Sequence, residues 1–183
     1  MKIKRSDLGR FALLLLALES QEVVAGRTKL QKMLYLANEC GWNAIRDYVF
    51  YEYGPYSEWL SLELENLKNI ELVNEATKTR EERTLYLYSL TQKGRSMLEA
   101  ILKELNEPKL VEKTRGLLEQ LTRYTSDELE IMASLLYISR DKDLDEEGIV
   151  KTTLRLKPRF KEEQIRKHLD VFSLIERFKQ LPA

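Results

Sequence analysis

Along the chain, apolar positions recur at helical spacing for most of its length, and alternate only in two short stretches. Ser6 to Leu18 fit a helix with Ser6 or Asp7 as cap and apolar residues on nearly every face, the pattern of a helix inside a domain. Gly26 breaks the chain, and Thr28-Lys-Leu-Gln31 has the Thr-x-x-Gln form of a capping box. Leu30, Met33, Leu34 and Ala37 follow at helical spacing, so a second helix is expected to run to about Cys40 and stop at Gly41.

Tyr48 to Tyr53 alternates instead. Val49, Tyr51 and Tyr53 share one face of a strand, and Tyr48, Phe50 and Glu52 the other. At Gly54-Pro55 the ladder is expected to end, since proline has no N–H to donate, and Ser57 is placed to cap a third helix. There Tyr56, Leu60, Leu64 and Leu67 gather on one side, opposite Glu58, Ser61, Leu62, Glu65, Asn66 and Asn69. Glu71-Leu-Val73 and Thr84 to Leu90 read as a hairpin around the polar run 77–83. Thr91 caps a fourth helix with Met97, Leu98, Ile101, Leu102 and Leu105 inside, and Asn106-Glu-Pro108 marks a boundary.

Beyond it the pattern is helical throughout. Lys109 to Thr122 carries Leu110, Leu117, Leu118 and Leu121, and Thr125-Ser-Asp-Glu128 is a second capping box. After an acidic stretch at Asp141–Glu147, a short helix is expected to end near Leu156, where Lys157-Pro158 breaks it. A final helix from Phe160 to Leu181 would present Ile165, Leu169, Phe172, Ile175 and Phe178. Its long apolar face serves either a homodimer or the interior of the monomer.

The composition, 43% hydrophobic and 33% charged, is that of a soluble globular chain, and the formal net charge of zero announces neither nucleic acid nor membrane. One cysteine, Cys40, and one histidine, His168, leave no internal disulfide and no Cys/His metal cluster. Lys2, Lys4 and Arg5 before the apolar run Phe11–Leu18 imitate a signal peptide. Asp7 and Arg10 interrupt that pattern, and a bilayer needs about twenty apolar residues. The reading is a buried first helix in a cytoplasmic protein without membrane contact.

Helix, helix, strand, helix, hairpin and helix is the element order of a winged-helix domain, and the passage Tyr88-Ser-Leu-Thr-Gln-Lys-Gly-Arg95 resembles the step from wing to helix in such regulators. Lys29-Leu-Gln-Lys-Met-Leu-Tyr-Leu-Ala37, Phe50-Tyr-Glu-Tyr-Gly-Pro-Tyr-Ser57 and Leu60-x-x-x-Leu64-x-x-Leu67 resemble a "KLQKLLYLA … YGPYS … L" pattern. That pattern is shared by phage-associated proteins of bacteria and archaea, and it is similar to that of the Panacea, or SocA-type, antitoxin domain. The resemblance spans roughly residues 28 to 95. Where the Panacea pattern usually has a hydrophobic residue after Gly-Pro, this chain has Tyr56-Ser57. It implies a non-enzymatic regulatory role, in transcription or as an antitoxin or adaptor that binds another protein.

The charges divide these roles. In a winged helix the third helix enters the major groove, yet here Glu58, Glu63 and Glu65 face Lys68 alone, net −2, with no arginine to read guanine. The hairpin adds Lys78, Arg80 and Arg83 against Glu81 and Glu82. A larger basic cluster, Lys151, Arg155, Lys157, Arg159, Lys161, Arg166 and Lys167 against Glu162 and Glu163, is net +5. It is either a phosphate-binding patch or a solvated face balanced by the acidic run before it.

Seven of the sixteen aromatic residues lie between Trp42 and Trp59. Val49, Tyr51, Tyr53 and Trp59 are most simply core and cap residues around the Gly-Pro turn. The other reading is a binding surface, to which Leu62 would belong. Catalysis has little support, with no phosphate loop and no nucleophile–base pair; Cys40 reads as a buried thiol and His168 as a surface or boundary residue.

The expectation is a mainly α (α+β) chain: a winged-helix domain with a small hairpin wing, residues 1–105, followed by a helical C-terminal region, residues 106–183. The first functional expectation is a transcription regulator without cofactor, contacting duplex DNA through Lys78, Arg80, Arg83, Lys157 and Arg159. The alternative is an adaptor or antitoxin-like module that binds protein through Tyr51, Tyr53, Tyr56, Trp59 and Leu62.

Overall fold

The structure, a computed structural model, describes residues 7–80 and 83–181, without the side chains of residues 80 and 83. It is mainly helical with a small antiparallel sheet. Helix α1 (Leu8–Glu19), apolar around its circumference, lies at the centre, and every side chain from Phe11 to Leu18 is buried. Around it pack α2 (Arg27–Ala37), α4 (Gln92–Leu105) and α5 (Pro108–Thr122). Asp7 stands at the N-cap position, but its carboxylate pairs with Arg10 instead of capping; Ser6, the other cap candidate, lies outside the described residues.

A strand that the hydrophobic pattern does not announce, β1 (Val24–Ala25), precedes α2. Two residues are too few to show alternation. Gly26 then takes φ 101°, a conformation that side chains avoid, and its N–H donates to the Tyr86 carbonyl at 2.8 Å. The N-cap of α2 is therefore Gly26, and the expected Thr28–Gln31 capping box does not form. At the other end a π-helical turn (Asn38–Trp42) carries the chain through Gly41.

The sheet has the order β1-β5-β4, built from β4 (Val73–Arg80) and β5 (Arg83–Leu90), with Val24 opposite Tyr88. The hairpin is longer than expected, since its strands run through most of the polar stretch. Before it, β2 (Val49–Tyr51) and β3 (Gly54–Tyr56) form a separate two-stranded hairpin, followed by α3 (Glu58–Asn69). Pro55 does not end the ladder. It sits opposite Phe50 in a strand with one partner, where the missing N–H is not needed for pairing.

Several helix ends follow their sequence signals. Ser57 accepts from the Leu60 N–H, Thr91 from Gly94, and Thr125 with Glu128 forms the full capping box of α6 (Ser126–Ile138). Asn106 ends α4 in the left-handed conformation and Pro108 opens α5. Asp145 caps α7 (Glu146–Leu156). The expected single helix from Phe160 to Leu181 is two, α8 (Glu162–Arg166) and α9 (Val171–Gln180). Ile165, Val171, Ile175 and Phe178 are buried within the chain, α9 packing on α6 and the π-helical turn, so much of this apolar face serves the interior of the monomer, while Leu169 and Phe172 are half-buried. One cluster of buried side chains includes residues from both sides of the 106–108 break. Among the described residues no helix is long and apolar enough to cross a membrane.

Candidate interaction site around the short hairpin

The alternation from Tyr48 to Tyr53 decides which side chains the β2–β3 hairpin shows. Tyr48 and Phe50 turn inward, Tyr48 edge-on to Tyr35 with centroids 4.9 Å apart and Phe50 against Tyr137 at 5.4 Å. Val49, Tyr51 and Tyr53 turn outward and are 47%, 60% and 50% exposed. The core reading of these three is thereby corrected: the inner face of the strand is already filled by Tyr48 and Phe50.

Four side chains hold the hairpin in place. Gln31 on α2 donates to the Ser57 carbonyl at 2.9 Å and accepts from the Ser57 N–H at 3.0 Å. Lys32, the next residue, donates to the Pro55 carbonyl at 2.6 Å. Lys157, just past the end of α7, donates to the carbonyls of Tyr51, at 3.2 Å, and Glu52. Asp47 accepts from the Ser57 hydroxyl at 2.8 Å and the Trp59 N–H at 3.1 Å, fixing the start of α3. Gly54, at φ +82°, lets the turn lie against α6, where a Cβ would stand 2.8 Å from Ser134 Oγ.

Beneath the hairpin Lys157 and Arg159 share one buried carboxylate. Glu130 on α6 lies 3.4 Å from the Lys157 ammonium and 2.6 Å from the Arg159 guanidinium, and neither Glu130 nor Lys157 has appreciable solvent contact. Burial pushes the Lys32 amine down to about 7; Glu130 offsets part of that and Lys157 adds to it. Lys157 is also lowered, again chiefly by burial.

An open cleft of about 800 Å³ lies between the hairpin and the first turns of α2 and α3, with Tyr51, Tyr53, Tyr56, Glu52 and Glu58 among its walls. Tyr56 is half-buried, edge-on to Tyr51 at 5.4 Å, with its hydroxyl donating to Ser61 at 2.9 Å. Leu62, the residue after Ser61, is 61% exposed. Trp59 is placed differently: half-buried, it packs edge-on to Phe11 at 5.7 Å with Arg10 over its ring, and so bridges α1 and α3.

No family model matches the chain. Over 163 residues it is 30% identical to "Uncharacterized protein YwgA" of Bacillus subtilis (strain 168), covering 89% of this chain and 92% of that one. The chain belongs to the YwgA family. An alignment of that length takes in both sides of the 106–108 break. The family unit thus includes the hairpin together with Glu130, Lys157 and the helices that carry them.

In this YwgA-family chain the described residues expected to meet nucleic acid differ in their surroundings. Lys78 is exposed on β4, while the side chains of Arg80 and Arg83 lie outside the described residues. Lys157 is 2% exposed with its ammonium fully engaged under the hairpin, so the expectation that it contacts phosphate is corrected. Arg159 pairs with Glu130 and Asp127 and lies over Tyr53. The rest of that basic cluster is largely paired too, Arg166 with Glu147 and Glu162, Lys151 with Glu147, and Lys167 with Glu128. The basic N-terminal residues Lys2, Lys4 and Arg5 lie outside the described residues.

Sequence reasoning missed Lys32, Glu130 and Asp47. The available signal was a lysine and a glutamate set among apolar neighbours, Lys32 before Met33-Leu34 and Glu130 between Leu129 and Ile131. His168, expected at the surface or boundary, is buried, with burial lowering its pKa and Glu128 3.8 Å away. Cys40 is buried as expected, its thiol pushed up to about 12.

Proposed function

We propose that this chain is a non-enzymatic regulatory protein of winged-helix architecture that works by binding another protein. The outer face of the β2–β3 hairpin and the adjoining side of α3 form the contact surface. The observation that carries this reading is the outward display of Val49, Tyr51 and Tyr53 on a hairpin anchored by buried polar contacts, with Leu62 exposed on the neighbouring helix. Tyrosines held rigid before binding supply contact area at little entropic cost, which is why they dominate protein interfaces.

The winged-helix part of the proposal is supported by connectivity. The order α1, β1, α2, α3 and then β4–β5, with β1 pairing on β5, fits a winged helix carrying the β2–β3 hairpin as an insertion between α2 and α3. That same topology, with Lys78 exposed on the long hairpin, favours a second reading, a transcription regulator that touches DNA. The charge on α3 weighs against it, because Glu58 and Glu63 would repel phosphate and Lys68 is already paired with Glu65 and Glu75.

Salt separates the two. Binding to random duplex DNA at low ionic strength, weakening steeply as salt rises and on Lys78→Ala, supports the regulator reading. No DNA binding at low salt, with a partner captured by a photo-crosslinker at Tyr51 and lost in Tyr53→Ser/Leu62→Ser, supports the protein-binding reading.

A further inference from the structure

The charges around the cleft say what kind of segment belongs there. Glu52 and Glu58 line it, both are exposed, and among the described residues neither carboxylate has an ion-pair partner. Asp47 adds a third carboxylate, part of whose hydrogen-bonding capacity goes to Ser57 and Trp59. The two cations in the lining are already committed. Arg27 bonds to Glu65 at 3.1 Å, to Glu75 at 3.2 Å and to the Tyr88 hydroxyl at 2.6 Å. Lys32 is buried with its amine on the Pro55 carbonyl. The free charge facing solvent is therefore negative.

Tyr51 and Tyr53, exposed side chains whose π faces attract cations, line the same cleft. The protein already makes that contact once here, with the Arg159 guanidinium 5.5 Å from the Tyr53 ring centre.

We infer that the occupant of this cleft is a basic polypeptide segment, its arginine or lysine side chains lying on Tyr51 and Tyr53 and pairing with Glu52 and Glu58. This rests on the protein-binding reading above and gives that partner a chemistry. Nucleic acid is disfavoured by the same carboxylates, and an acidic or purely apolar segment would leave Glu52 and Glu58 unmatched.

The test is fluorescence anisotropy of the full chain with three labelled probes: a short peptide of alternating arginine and glycine, its glutamate counterpart, and random duplex DNA. The arginine peptide is expected to bind best. Its affinity should fall about tenfold or more in Glu52→Lys/Glu58→Lys, and also in Tyr51→Ser/Tyr53→Ser. The control Glu99→Lys/Glu104→Lys makes the same charge change on exposed positions of α4 and should retain binding. Circular dichroism verifies that each variant is folded. The inference is overturned if the arginine peptide does not bind, if the glutamate peptide or DNA binds as well, or if the α4 control loses as much as the cleft variant. A crosslinked partner at Tyr51 whose contacting segment is acidic would overturn this inference and leave the protein-binding reading standing.

Discussion

The side-chain amide of Gln31 and the main chain of Ser57 exchange two hydrogen bonds, 2.9 Å and 3.0 Å long, so that a glutamine on a helix imitates one rung of a β-ladder. One residue further along α2, Lys32 takes the Pro55 carbonyl. Two consecutive polar residues of the Lys-Leu-Gln-Lys stretch thus grip the Gly-Pro-Tyr-Ser stretch, and Lys29, which donates to the Thr122 carbonyl at 3.0 Å, ties the same helix to α5. The two halves of the sequence pattern are coupled because each satisfies the other's buried polar groups.

Removing that rung is therefore costly. Gln31→Ala leaves a buried N–H and a buried C=O of Ser57 without these partners, and the expected loss is about 2 kcal/mol of folding stability. Urea unfolding measures it. Hydrogen exchange is expected to speed up at residues 54–57 before the rest of the chain.

Gly54 is the second constraint. At φ +82°, and with Ser134 Oγ 2.8 Å from where a Cβ would stand, Gly54→Ala combines backbone strain with a clash. It should cost about 2 kcal/mol. Gly54→Ala/Ser134→Ala relieves the clash but not the strain, so thermal unfolding of the pair should recover part of the loss.

Lys32 sets a pH dependence. Its folded-state pKa of about 7 lies below the unfolded value of 10.5, so in the window between them the unfolded chain holds a proton that the folded chain has released. Stability contributed by this group therefore rises with pH from about 7 upward, by at most about 1.4 kcal/mol per unit for a full proton. Burial of Lys157 acts with the same sign. The thiol of Cys40 acts oppositely at higher pH, because its folded pKa is raised. The comparison that isolates Lys32 is wild type against Lys32→Met from about pH 7 to pH 8, where the wild-type slope should be the steeper one.

Much of the architecture is legible in the sequence, because the signals are local. Ser57, Thr91 and Thr125 cap the helices that their hydroxyls announce, and the alternation at Tyr48–Tyr53 does mark a strand. What escapes is set by distant partners. Val24–Ala25 is a strand only because Tyr88 and Leu87 lie alongside it. Val49, Tyr51 and Tyr53 face outward only because Tyr35 and Tyr137 occupy the inner side. Lys157 belongs to a basic run by sequence, yet it is drawn under the hairpin by Glu130 and two carbonyls more than a hundred positions away. Charge counted along a chain does not reveal which cations are already paired.

The outward tyrosines are expected to contribute little to stability. Tyr51→Ser/Tyr53→Ser and Leu62→Ser should each unfold within about 0.5 kcal/mol of wild type, as judged by urea denaturation. A larger loss would mean that these side chains serve the fold and not a partner.

The most direct test of the central claim places a benzophenone photo-crosslinker at Tyr51 in the full chain, expressed in its native cells, with the same group at the exposed Glu99 of α4 as control. A discrete adduct with another polypeptide, present at Tyr51, absent at Glu99 and lost in Tyr53→Ser/Leu62→Ser, is the predicted result. No adduct at Tyr51, or the same adducts at both positions, would contradict the assignment of this face to protein binding.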